Sequence, residues 1–456
     1  MPLAVMRMLL TREASMGNEL DLASFKLHPE RKAVLGEVHA RPFASLVSSL
    51  GMVRFVFLAK GDDAANDRRR FIEFCRQHKV TPPEPSAKHH QIEFGSVALR
   101  WEQHSEFATF TWIWSTTNSL AARQFGDVHN SAQSLIRALS QAGELLAAIK
   151  LEAERGTCPT ERAEQIFEKS SLAMVNVKGG ASVVASDFRT DDKGFTRILV
   201  HDRGLTPHDL GALVQRLLEI ETYRSLALLG LSTALELGPS VDRIDRRLVE
   251  VLEEMQGAEG LKVNNHLLQE LTALAVSFEK DVAGSLFRFG ASRAYNELVQ
   301  SRLSIVEGES VADYPTWSAF LARRMAPAIR TCATMEERQA NLSDKLARAA
   351  DLLRTRVDVE IEQQNRDLLR SINERTRQQL RLQSTVEGLS VGAIGYYVVS
   401  LFAYLAKGAQ DVGLHVEPAS VTAAFVPIAV GVIWLVSYNV RKRHLKPDDA
   451  SSRAGD

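Results

Sequence analysis

Cysteine is scarce in this chain, and neither charge sign dominates. Among 456 residues there are three cysteines, Cys75, Cys158 and Cys332, far apart and odd in number. A disulfide scaffold and a cysteine metal centre are thereby excluded, and a reducing compartment is the simplest setting. Lys and Arg total 55 against 56 Asp and Glu, a net charge of -1. Bulk positive charge, the usual basis of sequence-independent nucleic-acid binding, is missing, so no nucleic-acid partner is expected. The phosphate loop G-x-x-x-x-G-K-[ST] and the patterns G-x-G-x-x-G, H-E-x-x-H and G-x-S-x-G do not occur. Common NTPase, dinucleotide, zincin and hydrolase chemistries drop out, although an enzyme of another kind stays open. The opening ten residues are too short for a signal peptide with a cleavage site, and Met16 is an alternative start.

Charge itself disappears in two places. Residues 388–406 (GLSVGAIGYYVVSLFAYLA) and 418–440 (PASVTAAFVPIAVGVIWLVSYNV) carry none over 19 and 23 residues. Both match the ~20 residues needed to cross a bilayer. Buried helices of soluble proteins usually keep a polar stripe, which these runs lack. Arg375, Arg377 and Arg381 precede the first run, and Arg441, Lys442, Arg443 and Lys446 follow the second. The short loop between them has one Lys against Asp411 and Glu417, so both termini are expected in the cytoplasm.

The expected fold class is α+β, with a mainly antiparallel sheet, then long helices, then a two-helix transmembrane hairpin. The expected division is an irregular 1–30, an α/β domain at 31–205, a helical region at 206–335, a long straight helix at 336–387, the spans, and a basic tail at 441–456. Residues 52–59 read as an apolar strand and 66–78 as an amphipathic helix. Strands follow at 91–94, 97–103 and 107–114, helix at 118–154, and strands again at 172–177, 181–188 and 196–199. Pro207 fits the first turn of a helix behind Thr206, with breaks expected at Gly238-Pro239, 257–260, Gly308 and Tyr314-Pro315. Along the last helix the apolar stripe from Leu346 to Val386 covers 40 residues in 11 steps, about 3.64 per step, the period of a nearly straight rod. From Glu336 to Val386 that rod spans 51 residues, about 77 Å. It is expected to run unbroken into the first span and to need partner helices, including copies of itself.

Polar residues at strand spacing mark the candidate ligand-binding positions. Glu37, His39 and Arg41 stand two apart, as do Arg100, Glu102, His104 and Glu106. On strands each set shares a face, able to hold an anion, metal or proton, or to form a buried ion-pair network tying sheet to helices. A metal site would need His39, His104, Glu37 and Glu102 to meet; neither a metal nor a cofactor is identified by the sequence. His89-His90 reads as an exposed loop pair, and Glu221 with Arg224 as a surface i,i+3 pair. In the first span, Gly388, Gly392 and Gly395 allow close helix packing, while Tyr396, Tyr397 and Ser400 are candidates to pack between helices or line a pore.

Several stretches resemble a bacterial family of uncharacterised membrane-anchored proteins. They are His28-Pro29-Glu30-Arg31 with Glu37-Val38-His39-Ala40-Arg41-Pro42-Phe43, then residues 100–107 (RWEQHSEF), 217–224 (LLEIETYR), 387–390 (EGLS), Tyr396-Tyr397 and 404–408 (YLAKG). The resemblance covers about residues 25–445 and implies a Gram-negative inner-membrane protein without an assigned activity. In layout the chain is also similar to the homopentameric CorA-type cation channels. Their Gly-x-Asn triplet is absent at 404–410, where Lys407 would repel a cation. The expected function is thus an inner-membrane-anchored protein in contact with lipid, forming a homo-oligomer and binding or sensing a ligand. A CorA-like channel or transporter for an inorganic ion, and a tethered enzyme, are the alternatives.

Overall fold

The computed structural model describes residues 25–31, 34–35, 43–59, 63–85, 87–116, 125, 128–139, 143–155, 159–411 and 417–444. Glu37, His39 and Arg41 lie outside the described residues. The chain divides into two compact units, one formed by residues 1–253 with 270–349, the other by 254–269 with 350–456.

The first unit is built on a nine-stranded mixed sheet. Its strands are β1 (Leu50–Leu58), β2 (His89–Phe94), β3 (Val97–Gln103), β4 (Phe107–Ser115), β5 (Glu144–Arg155), β6 (Ala173–Val177), β7 (Ser182–Ser186), β8 (Thr196–Asp202) and β9 (Glu309–Ser310). The order is β2-β3-β4-β1-β5-β8-β7-β6-β9, and β5 with β8 is the parallel pair in an otherwise antiparallel sheet. Period-2 alternation sorts each strand between two layers. Val53, Leu99, Trp101, Phe110 and Trp112 pack with Phe71 and Phe74 of α1 (Asp63–Gln77), on the face that also receives Ala132 of α2 (Asn130–Ala138). Met52, Ile149, Leu151, Ile198 and Val200 turn the other way, toward long helices. These are α4 (Pro207–Gly257), α5 (Leu261–Val306) and the start of α6 (Trp317–Asp411), which contribute Leu213, Leu217, Leu303 and Trp317. The short α3 (Pro159–Ile166) covers β6 and β7 through Ala163.

Three departures from the sequence expectation have physical causes. Residues 118–154 read as helix because Ala, Leu, Glu and Lys abound, yet β5 occupies Glu144–Arg155. It sits between β1 and β8, where Ile149, Leu151 and Ala153 face one layer, and pairing on both edges outweighs helix propensity. Pro239 does not end α4, because Ala234 before it and Val241, Ile244 and Leu248 after it are all buried. That packing offsets the ~3 kcal/mol cost of an interior proline. Helix α6 likewise contains Pro327 and begins at Trp317, well before Glu336. Elsewhere the local signals hold. Asp209 donates its backbone N–H to Thr206 Oγ1 (3.1 Å), capping α4. Gly308 follows α5 because a Cβ there would fall 1.7 Å from the Asn176 carbonyl oxygen.

In the second unit, Arg356 of α6 donates to the carbonyls of Met255 and Ala258 (2.7 Å for the latter), and Asn264 donates to Glu360 (2.8 Å). Beyond that clasp the stripe is uncovered: Leu368, Ile372, Leu382 and Val386 are all more than half exposed. The C-terminal stretch of α6 and α7 (Pro418–His444) are each long and apolar enough to cross a membrane. They pack side by side, with Phe402 stacked on Phe425 at 3.8 Å.

Candidate functional site: a buried arginine row between sheet and helices

Arg54 of β1, Arg100 and Glu102 of β3, and Thr109 and Thr111 of β4 fall on the face turned to α4 and α5. Register aligns Gln91 of β2, Arg100 of β3, Thr111 of β4 and Arg54 of β1 in one row across four adjacent strands. In the next row Glu102 opposes Thr109. Same-face neighbours of this kind stand ~5 Å apart, close enough for side chains to bond. Arg100 donates to Glu102 Oε1 (2.6 Å) and Arg54 to Glu102 Oε2 (3.3 Å). Arg54 Nε also donates to Thr111 Oγ1 (2.8 Å), and Thr109 Oγ1 donates to Glu102 (3.3 Å). All five residues are buried; Arg54 and Glu102 are each 2% exposed.

The electrostatics follow from this crowding. Burial pushes the Glu102 carboxyl up, but Arg54 and Arg100 outweigh it and hold the group below the usual carboxylate range. Burial draws the Arg54 guanidinium down, with Glu102 opposing and Arg100 adding to the fall. Neighbouring charges reach the row from the helices. Arg302 of α5 donates to Glu219 of α4 (2.5 Å), which also accepts from Gln215 (2.7 Å). Arg288 of α5 pairs with Glu106 at 2.9 Å. Tyr223 and Tyr295 stack between these pairs, 5.8 Å apart. Both phenols are raised above their ordinary range, first by burial and then by the adjacent carboxylates Glu219 and Glu106 respectively.

A cavity of about 20 Å³ lies against the row. It is lined by Arg54, Arg100, Thr111 and Gln91 from the sheet, by Val214 and Leu218 among others from α4, and by Phe43 and its neighbours from the segment entering the fold. That segment lies directly on α4: a Cβ on Gly211 would stand 2.0 Å from the Ala44 carbonyl oxygen, so only glycine admits the approach. Leu46 donates its N–H to the Pro207 carbonyl (2.9 Å), and Phe43 meets His208 edge-on at 4.9 Å.

The structure thus brings Arg100 and Glu102 together, whereas the His104 ring turns to stack on Phe107 at 4.0 Å. Among the described residues no group of three or more His, Cys, Asp or Glu is placed to hold a metal ion. His89 and His90 open β2 rather than sit on a loop. The Glu221–Arg224 pair is buried rather than superficial: Glu221 is 1% exposed and takes two bonds from Arg224, of 2.8 and 2.5 Å. Sequence reading missed Arg54, although a lone arginine inside the apolar strand LGMVRFVFL was a visible signal. Arg288 and Arg302 gave no such signal among the many charges of α5.

Phe43, Arg100 and Leu218 come from widely separated parts of the sequence and line this single cavity. Residues 26–444 match the model of the family described as protein of unknown function (DUF3422). The chain belongs to this family. No curated protein and no solved structure matches it. The family match takes in the arginine row, the long helices and both apolar helices, so all belong to one shared unit of sequence.

In the apolar helices, the sequence candidates divide by surroundings. A Cβ on Gly395 would stand 3.6 Å from Ile433 of α7, whereas Gly388 and Gly392 face open space. All three line a groove of about 550 Å³ with Tyr396 and Trp434. Tyr397 is exposed, at 71% of its surface, and Ser400 is half-buried.

Proposed function

We propose that this protein is anchored in the bacterial inner membrane by α7 and the end of α6, self-associates there, and carries a cytoplasmic body that binds a ligand. The observation that carries the reading is apolar surface without cover. Leu389, Leu401, Leu405, Ile428 and Trp434 are each more than 60% exposed, on two helices of spanning length. Soluble proteins rarely expose continuous apolar surface of this extent, and a bilayer removes the cost. Arg375, Arg377 and Arg381 before the first span, and the basic residues after the second, support cytoplasmic termini. The uncovered stripe from Leu368 to Val386 and the open groove over Gly388 and Gly392 support a second copy as the missing neighbour. The order of body, long helix and two apolar helices supports a CorA-like layout. Lys407 in place of a Gly-x-Asn triplet favours anchoring over cation conduction.

The test is membrane extraction with alkaline carbonate. The full chain stays with the membrane, and a chain ending before residue 388 is released. Release of the full chain refutes anchoring.

A further inference from the structure

We propose that the cavity between Arg54 and Arg100 is a binding site for a small monovalent anion of the halide class, chloride above all. This inference deepens the ligand-binding part of the reading above and does not depend on how the protein is anchored.

Three observations point to an anion. First, the charge at the row does not balance. Arg54 and Arg100 share one carboxylate, Glu102, while Glu219 is engaged by Arg302 and Gln215, and Glu106 by Arg288. Among the described residues, two buried guanidiniums in one sheet row leave an excess of one positive charge, which is costly unless an anion offsets it. Second, Arg100 is 5% exposed, and its Nε–H has no hydrogen-bond partner among the described residues. A buried N–H donor of a charged group is rarely left unmade, and its loss costs a few kcal/mol. Third, the cavity lining is suited to a negative body. It combines two guanidiniums, the Thr111 hydroxyl and the Gln91 and Gln215 amides with apolar walls, and no carboxylate lines it among the described residues. Glu102 bonds the arginines from the next row, outside that lining.

Size selects the class. About 20 Å³ is the room of one water-sized body, which a single halide matches. The exposed Gln91 at the β2 side lines the same cavity, beside the buried arginines. An anion held here would join β1 and β3 to α4 and to the Phe43–Leu46 segment at one point.

The experiment uses the full-length protein in detergent, exchanged into sodium gluconate and titrated with sodium chloride at constant ionic strength. Melting temperature and the chloride NMR line width are the readouts. The expected result is a saturable rise of about 5 °C at a hundredfold excess over Kd, with excess line broadening. Bromide substitutes for chloride and sulfate does not. Arg100→Met, verified as folded by circular dichroism, loses both responses. Where that variant does not fold, bromide-soaked crystals of the wild type decide, through anomalous density between Arg54 and Arg100. Equal melting temperatures and line widths in chloride and gluconate, or a response that Arg100→Met retains, overturn the proposal and leave a water in the cavity. Carbonate extraction of membranes carrying the same protein separates the two readings. A chain that stays in the membrane but ignores chloride overturns this inference alone, and a chain released from it overturns the anchoring.

Discussion

Replacing Glu102 with Gln tests whether the arginine row is held together as described. The side chain keeps its volume and loses the charge that Arg100 (2.6 Å) and Arg54 (3.3 Å) share. The two guanidiniums, 5% and 2% exposed, are then buried without a counter-charge. Removing one partner of a buried ion pair typically costs about 3–5 kcal/mol, far above the ~0–1 kcal/mol of an exposed pair. For a body of this size, at about 2 °C per kcal/mol, the melting temperature should fall by roughly 6–10 °C. The measurement belongs in gluconate buffer, so that chloride cannot replace the lost carboxylate. The double variant Glu102→Gln with Arg100→Met removes one stranded cation and should recover part of the loss. A fall of less than about 2 °C for Glu102→Gln alone would refute the account, because the pair would then be acting as a solvated one.

Three further outcomes follow from the same geometry. Glu102 is depressed in the folded state, so its stabilisation is present above the ordinary carboxylate range and is lost as pH falls through the folded value. Acid titration of stability should therefore show a limb below pH ~4 that Glu102→Gln lacks. Gly211→Ala places a methyl 2.0 Å from the Ala44 carbonyl oxygen, and should cost about 1–3 kcal/mol in denaturant unfolding as the segment is pushed off α4. Gly392→Ala adds a methyl with nothing within 4 Å of it inside the chain, so light scattering in detergent should report a smaller particle with no loss of melting temperature.

Local alternation and punctuation made most of the sheet readable. LGMVRFVFL is apolar but for Arg54, and in VALRWEQ and FATFTWIWS aromatic and aliphatic side chains alternate with polar ones; the structure divides them between two helical layers. The strand ELLAAIKLEAER carried the same alternation from Ile149 to Glu154 but was written in helix-forming residues, so composition masked its period. Helix ends marked by glycine were legible at Gly257 and Gly308, whereas Pro239 and Pro327 were overridden by packing from distant segments, which no local signal reports. The pairing of Arg100 with Glu102 could be suspected from their spacing. That Arg54 joins them depends on β1 lying beside β4, a neighbour relation set by topology rather than by any motif. The burial of Glu221 was equally invisible, since an i,i+3 pair looks the same on either side of a helix.

Anchoring with a cytoplasmic body is tested most directly by sidedness. Gln410→Cys in a Cys158→Ser background places a thiol at the C-terminal end of α6, next to the short stretch between the apolar helices, while Cys75 and Cys332 are buried in the body. Intact spheroplasts treated with a membrane-impermeant maleimide should label the protein at position 410 and leave the native cysteines unmodified until the cells are opened and the protein unfolded. Labelling of the body from outside, or a position 410 that reacts only after lysis, would contradict a two-span anchor with both termini in the cytoplasm.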